Sequence, residues 1–287
     1  MLLDLALLGM LVALWAAITA LPAVREELLC FQPPRRAPPP PEGVAVAPVS
    51  WTAEAGQGPF EVKGWYVPPR NGAAVLLGHG SMADRAHMAE ELKILTGAGF
   101  GALAFDWPGH GESGGEVKLG APERAACRGA VDWLLRQQGV RPERIGALGI
   151  SNGAAMLTAF AAEDGRIAAL VAASGYTDSL EQTAYEFDWT WPWVRAAAVR
   201  VVRWKAEGGN FRSIDLAPKL RGRRSLFIAF EEDPVVPPRM SEALAAAAGG
   251  ALYRVPGKGH ANFAEVGGRA YAEKLVEFFN AALVQGP

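Results

Sequence analysis

From residue 73 to the C-terminus, short apolar runs alternate with longer helix-like patterns. The runs are Ala73 to Leu77, Gly101 to Phe105, Ile145 to Ile150, Ile167 to Ala172, Ser225 to Phe230 and Ala251 to Val255. Between them lie helical patterns over Asp84 to Ala98, Pro122 to Gln138, Ala154 to Ala162 and Arg239 to Ala248. A last one covers Asn262 to Leu283. A strand that is apolar on both faces must be covered on both faces. Alternation with helices supplies that cover through right-handed crossovers. The pattern predicts an α/β domain with a mostly parallel central sheet flanked by helices. Two further strand-like stretches, Val44 to Trp51 and Pro59 to Val67, precede it and read as a hairpin through Ala55-Gly56-Gln57-Gly58.

One interval breaks the rhythm. Residues 176–218 separate two strands by more than a loop needs and hold Tyr185, Phe187, Trp189, Trp191, Trp193 and Trp204. The expectation is a small helical cap over the C-terminal edge of the sheet. Its tryptophans either pack the cap onto the domain or wall an acyl-binding site. The basic residues of Val194 to Lys205 form a solvated helix face or meet anionic lipid heads.

The N-terminus has a different character. Leu5 to Val24 carries no charge and has the length of about 20 residues that a transmembrane helix needs. A cleaved signal peptide would show a positive start, a shorter apolar core and an A-x-A-like site. Here Asp4 is the early charge, so an uncleaved membrane anchor over residues 1–24 is expected. Secretion after signal cleavage is the alternative. Pro22 is expected to break the helix near its end. Arg25, Arg35 and Arg36 flank the segment, which by the positive-inside rule favours a cytoplasmic domain. Residues 25–43 read as a proline-rich linker and 44–287 as the main domain.

The chain has 287 residues, half of them hydrophobic, and a net charge of -2. It lacks the strongly basic face that nucleic acid requires, so no nucleic-acid partner is expected. Arg221-Gly222-Arg223-Arg224 reads as a solvated loop. Cys30 and Cys127 lie far apart and suggest no disulfide framework. No H-E-x-x-H, C-x-x-C or Walker pattern occurs, so no metal and no cofactor is expected.

Two pentapeptides have the spacing G-x-S-x-G: Gly111-Glu112-Ser113-Gly114-Gly115 and Gly149-Ile150-Ser151-Asn152-Gly153. Such a turn exposes a serine hydroxyl between a strand and a helix. Ser151 has a buried-strand pattern before it and a helix pattern after it. Ser113 has glycine-rich loop on both sides. Ser151 is therefore the candidate nucleophile. A serine nucleophile needs a base, and the base needs an orienting carboxylate. His260 follows the last strand pattern in a glycine loop. Asp233 follows the preceding one in Glu231-Glu232-Asp233-Pro234-Val235-Val236-Pro237, with Glu231 and Glu232 as alternatives. His79 supports the loop after its strand, His110 and Asp106 fix a glycine turn, and His87 reads as a surface helix residue.

With Ser, Asp and His in that order, the chain resembles the α/β-hydrolase superfamily from about Val44 onward. The resemblance rests on His79-Gly80-Ser81, Asp106 to Ser113, the Ser151 pentapeptide, Asp233-x-x-Val236-Pro237 and Gly259-His260. The apolar N-terminus followed by Phe31-Gln32-Pro33-Pro34 is similar to membrane-anchored members of the Bem46-like group. Some members of that type face away from the cytoplasm. The resemblance implies an oxyanion hole from the backbone amides of Ser81 and Asn152, with Met82 as the substitute for Ser81. It implies a serine hydrolase acting on a small-molecule carboxylic ester, including a lipid or acyl ester. Peptidase, thioesterase and acyltransferase chemistry share that machinery, and a non-catalytic binding protein is the remaining alternative.

Overall fold

The computed structural model describes residues 2–33, 35–56 and 58–285. Pro34 of the Phe31–Pro34 pattern and Gln57 of the expected hairpin turn lie outside them. The chain opens with a long helix, α1 (Leu2–Phe31), then the hairpin β1 (Ala47–Ala55) and β2 (Gly58–Val67). The alternating part follows as β3 (Ala74–Gly78), α2 (Ala89–Gly97), β4 (Gly101–Phe105) and α3 (Ala121–Leu134). It continues as β5 (Ile145–Ile150), α4 (Asn152–Glu163) and β6 (Ala169–Ala173). Then come two cap helices, α5 (Ser179–Glu186) and α6 (Pro192–Lys205). The chain ends with β7 (Arg224–Glu232), α7 (Pro238–Ala248), β8 (Ala251–Lys258) and α8 (Phe263–Phe279).

The strands form one sheet in the order β1-β2-β4-β3-β5-β6-β7-β8. β1 and β2 pair antiparallel with each other, as do β2 and β4. The rest of the sheet is parallel. Every residue of β3, β4, β5 and β6 is buried. Alternate side chains feed two cores, one on each face. Leu76, Leu103, Ala147 and Leu170 meet α3 and α4 through Ala126, Ala130, Leu157 and Phe160. Val75, Leu77, Leu148 and Val171 meet α2 and α8 through Leu92, Leu95, Tyr271 and Phe279. The expected α/β architecture with its helical cap is what forms.

α1 departs from expectation in one respect. Pro22 does not break it; the helix runs on to Phe31. A proline removes one helical hydrogen bond, and tertiary packing here offsets the loss. Ala20, Ala23, Glu27 and Phe31 are buried at helical spacing, against Phe187, Val194, Ala198 and Val202 of the cap. The proline-rich stretch beyond is also tied down. Arg35 donates to the carbonyls of Ser113 and Gly115, and Arg36 pairs with Asp84.

Candidate active site

β5 lies inside the sheet between β3 and β6, and its C-terminal end delivers Ser151. Ser151 has φ 55° and ψ -119°, a strained conformation for a side-chain-bearing residue. Its amide donates to the Ala173 carbonyl (2.8 Å), and α4 starts at the next residue. Both flanking glycines are sterically required. A Cβ on Gly149 would collide with the Gly153 backbone, and a Cβ on Gly153 with the carbonyls of Gly78 and His79. The turn is that tight because α4 begins against the end of β3.

His260 comes from the loop between β8 and α8. Its Nε2 lies 3.0 Å from Ser151 Oγ. Its Nδ1 lies 3.0 Å from both carboxylate oxygens of Asp233. Asp233 is 3% exposed, whereas Glu231 and Glu232 are exposed. Of the three acidic side chains, Asp233 is thus the one on His260. Its carboxylate also accepts from the amides of Val235 and Val236 (2.9 Å each) and from Ser174 Oγ (2.7 Å). Four donors on one buried carboxylate hold it fixed. Ser174, at the end of β6 with φ 48°, was missed in the sequence. A lone serine after an apolar run carries no distinguishing signal.

The loop after β3 passes close to Ser151: a Cβ on Gly80 would lie 3.4 Å from Ser151 Cβ. Ser81 and Asn152 both line the cavity at Ser151, and Met82 has φ 54°. Asn152 Oδ1 accepts from Tyr176 Oη (2.8 Å), which fixes its side chain. His79 braces this loop. Its Nδ1 lies 2.7 Å from the Gly80 carbonyl, and its Nε2 accepts from the Trp107 amide (3.1 Å). That pattern requires the proton on Nδ1. Burial, then the neighbouring His110, holds its pKa well below the usual range.

His87 was expected on the surface. It lines the cavity instead and accepts from the Gly80 amide (3.3 Å). Burial, then the charge at His260, lowers its pKa. The expectation failed because residues 85–88 form a short helical turn ahead of α2, which rotates the side chain inward. Asp106 does fix the loop that follows β4. It accepts from the amides of Arg85 (2.7 Å) and Glu112 (3.0 Å) and pairs with the Arg85 guanidinium.

The cavity at Ser151 has a volume of about 260 Å³. Leu119, Val202 and Val235 give it apolar walls, and α1 closes one side with Glu27, Cys30 and Phe31. The cap adds Gln182, Thr183 and Glu186. Among the described residues no lysine or arginine lines it. Burial, then the charge of Glu26, raises the pKa of Glu186, although Gln182 donates to its carboxylate (2.8 Å). None of Trp189, Trp191, Trp193 and Trp204 lines this cavity. Trp191 and Trp193 stack on each other (5.1 Å between centroids), and both meet Trp15 of α1. Their packing role is therefore against the N-terminal helix. Among the described residues no group of three or more His, Cys, Asp or Glu side chains is placed to hold a metal ion.

Residues 66–201 match the family model of X-Pro dipeptidyl-peptidases of the S15 family. The uncharacterized protein Rv2307c of Mycobacterium tuberculosis is 32% identical over 231 residues, covering 78% of this chain and 76% of the relative. The chain belongs to one family with that mycobacterial protein. Solved structures carry the same fold. The esterase Pf2001 of Pyrococcus furiosus matches with a TM-score of 0.70 and 20% identity, covering 88% of this chain and 99% of the esterase. The hydrolase GrgF of Penicillium sp. sh18 matches with a TM-score of 0.65 and 17% identity over 84% and 99% of the two chains. The acylaminoacyl peptidase of Pyrococcus horikoshii matches at 0.62 and 16%, covering 85% of this chain and 43% of the peptidase.

Proposed function

We propose that this α/β hydrolase is a serine hydrolase that cleaves a carboxylic ester through an acyl-enzyme. The observation that carries the reading is the unbroken hydrogen-bonded relay Ser151–His260–Asp233. Ser151 Oγ attacks the carbonyl carbon as His260 Nε2 takes its proton. Asp233 holds the His260 Nδ1 proton and stabilises the imidazolium. The amides of Ser81 and Asn152 stabilise the oxyanion, each worth about 3 kcal/mol in the transition state. His260 then protonates the departing alcohol, and a water activated by the same imidazole releases the acid. The apolar walls suit an acyl chain, so lipid and acyl esters belong to the substrate class. A fluorophosphonate probe tests the assignment: it labels the native chain and leaves Ser151→Ala unlabelled. Full labelling of Ser151→Ala would overturn it.

A second reading has its own support. Glu27 and Glu186 give the cavity an acidic wall, and the matching family model is that of a peptidase. An acyl group bearing an ammonium would be attracted there, as in an aminoacyl ester or peptide. Turnover of short esters, long esters and aminoacyl amides separates the readings. In Glu186→Gln, KM rises for amine-bearing substrates alone if the second holds. Thioester and acyl-transfer chemistry would use the same relay. The complete relay argues against a purely binding role.

The main domain is assigned to residues 44–287, with 176–218 as its cap and 1–24 as a retained membrane anchor. α1 is long and apolar enough to cross a membrane from Leu8 to Phe31. Signal cleavage within it would uncover Phe187, Val194 and Ala198, which supports retention. This layout also supports kinship with the membrane-anchored Bem46-like group.

A further inference from the structure

We infer that the tip of the cap, around Trp189 and Trp191, is a membrane-docking surface that enters the bilayer beside α1. The hydrolase domain is then seated on the membrane and not held away from it by a spacer. This rests on the retained anchor proposed above and is independent of the serine chemistry.

The first ground is position. At about 1.5 Å per residue, the uncharged stretch of α1, Leu5 to Val24, reaches about 30 Å, the thickness of the hydrocarbon core. Seating that stretch in the core takes in Trp15 and Thr19, the turns that the cap holds. Trp15 lies 5.1 Å from Trp193 and 6.2 Å from Trp191 between ring centroids. Trp193 Nε1 donates to Thr19 Oγ1 (3.1 Å). Ala20 and Ala23 pack on Val194 and Ala198. The tip must descend with the helix.

The second ground is what the tip exposes. Trp189 is 85% exposed and Trp191 58%. On α1, Leu14, Ile18 and Leu21 are exposed as well. Between tip and helix lies a groove of about 690 Å³ whose apolar lining includes Pro22, Ala23, Phe187, Trp189 and Trp191, with Thr19, Thr190 and Glu26 as its polar members. Tryptophan concentrates at the membrane–water boundary, where its ring and N–H meet apolar and wet surroundings. A bilayer covers this surface with the same material that surrounds α1.

The third ground is direction. α6 runs alongside α1, with Val194 near Ala20 and Val202 near Phe31. Its N-terminal tip points to the membrane and its C-terminal end away. Arg200, exposed on α6, falls at headgroup height, where anionic lipid attracts it. Trp204 is 72% exposed but about 16 Å further along the helix than Trp193. It stays in water. The contacts of Arg35 and Arg36 with the domain leave little slack for another pose.

The test uses the full chain, its intact mass checked, in phosphatidylcholine–phosphatidylserine vesicles brominated high on the acyl chains. Tryptophan emission is compared for the native chain, Trp189→Tyr and Trp204→Tyr. Trp189→Tyr should lower the bromine-quenched part of the emission. Trp204→Tyr should lower the unquenched part alone. If Trp189→Tyr leaves the quenched part unchanged, the tip lies in water and the inference fails. The same holds if Trp204 is quenched as strongly as Trp189, since the cap then adsorbs without the stated orientation. Neither readout needs turnover, so an inactive Ser151 would not be mistaken for a failed membrane contact.

Discussion

Gly111–Gly115 and Gly149–Gly153 share one spacing, and each presents a serine in the turn after a parallel strand. In the first, Ser113 is fully buried; its hydroxyl donates to the Asp106 carbonyl (2.8 Å) and accepts from the Lys63 amide (2.9 Å). It fastens the β4 loop to β2. In the second, Ser151 is held at φ 55° with its hydroxyl on His260 Nε2. The same five-residue pattern yields a structural clasp in one place and a hydroxyl hydrogen-bonded to an imidazole in the other. The difference is the helix that starts at Asn152. It forces the backbone through a strained turn that leaves the serine side chain outside.

The largest expected effect separates the two serines by function. Ser151→Ala should lower turnover by at least about 10⁴-fold, because members of such a relay act as a unit. Its thermal stability should match or exceed that of the native chain, since alanine loses no buried partner there. Ser113→Ala should do the reverse: full probe labelling, and a stability loss of about 2 kcal/mol from the unpaired Lys63 amide and Asp106 carbonyl. Probe labelling beside chemical denaturation reads both. Equal stability of the two variants would dissolve the contrast.

Gly153→Ala challenges the claim that the elbow is shaped by close approach. Its methyl group would meet the Gly78 and His79 carbonyls, backbone atoms that move only with the sheet. Overpacking of that kind costs about 1–3 kcal/mol or more and should displace Ser151 with it. Loss of both stability and labelling is expected. A variant with native labelling would show that α4 yields more easily than the geometry implies.

The two loops should also differ in their response to acid. His110 belongs to the Ser113 loop, and burial holds its pKa down to about 4. The unfolded chain would protonate it near 6.5, so between these values the unfolded state binds more protons. His110 therefore contributes a loss of stability as pH falls through that window, of roughly 2 kcal/mol between pH 7 and pH 5. Glu91 acts oppositely: burial raises its pKa to about 7, which favours the folded state at lower pH. His110→Phe should consequently flatten the acid limb or reverse its slope. An unchanged slope in urea titrations at both pH values would remove His110 as the cause.

Much of the fold was readable because parallel strands buried on both faces must be continuously apolar, as β3 to β6 are. That Ser151 and His260 meet was readable because each sits where such a run ends. What escaped was set by distant packing. Nothing local in Ala86-His87-Met88 announces that His87 reaches the Gly80 amide. Pro22 argues locally for a helix end, and the cap overrules it. Glu27, Cys30 and Phe31 lie in what reads as the start of a linker, yet they wall the cavity, because α1 docks on a cap more than 150 residues away in sequence.

Ser174 supplies the smallest and most discriminating step. It lies on the strand next to β5, touches neither Ser151 nor His260 in any recorded hydrogen bond, and donates to Asp233 at 2.7 Å. Its removal leaves Asp233 with the amides of Val235 and Val236 and with His260, so the carboxylate stays in place with one donor fewer. A hydrogen bond to a charged group is worth about 1.5–3 kcal/mol, part of which water can restore. Ser174→Ala should lower kcat about 10-fold with KM nearly unchanged, because the substrate cavity does not include residue 174. Ser174→Thr keeps the hydroxyl but adds a branch at φ 48°, where a β-branched side chain is strained, so it should rescue kcat only in part. A rise in KM without a fall in kcat would instead mean that Ser174 shapes the pocket. A strand-end serine, like the clasp at Ser113, would then serve structure while Ser151 alone serves the chemistry.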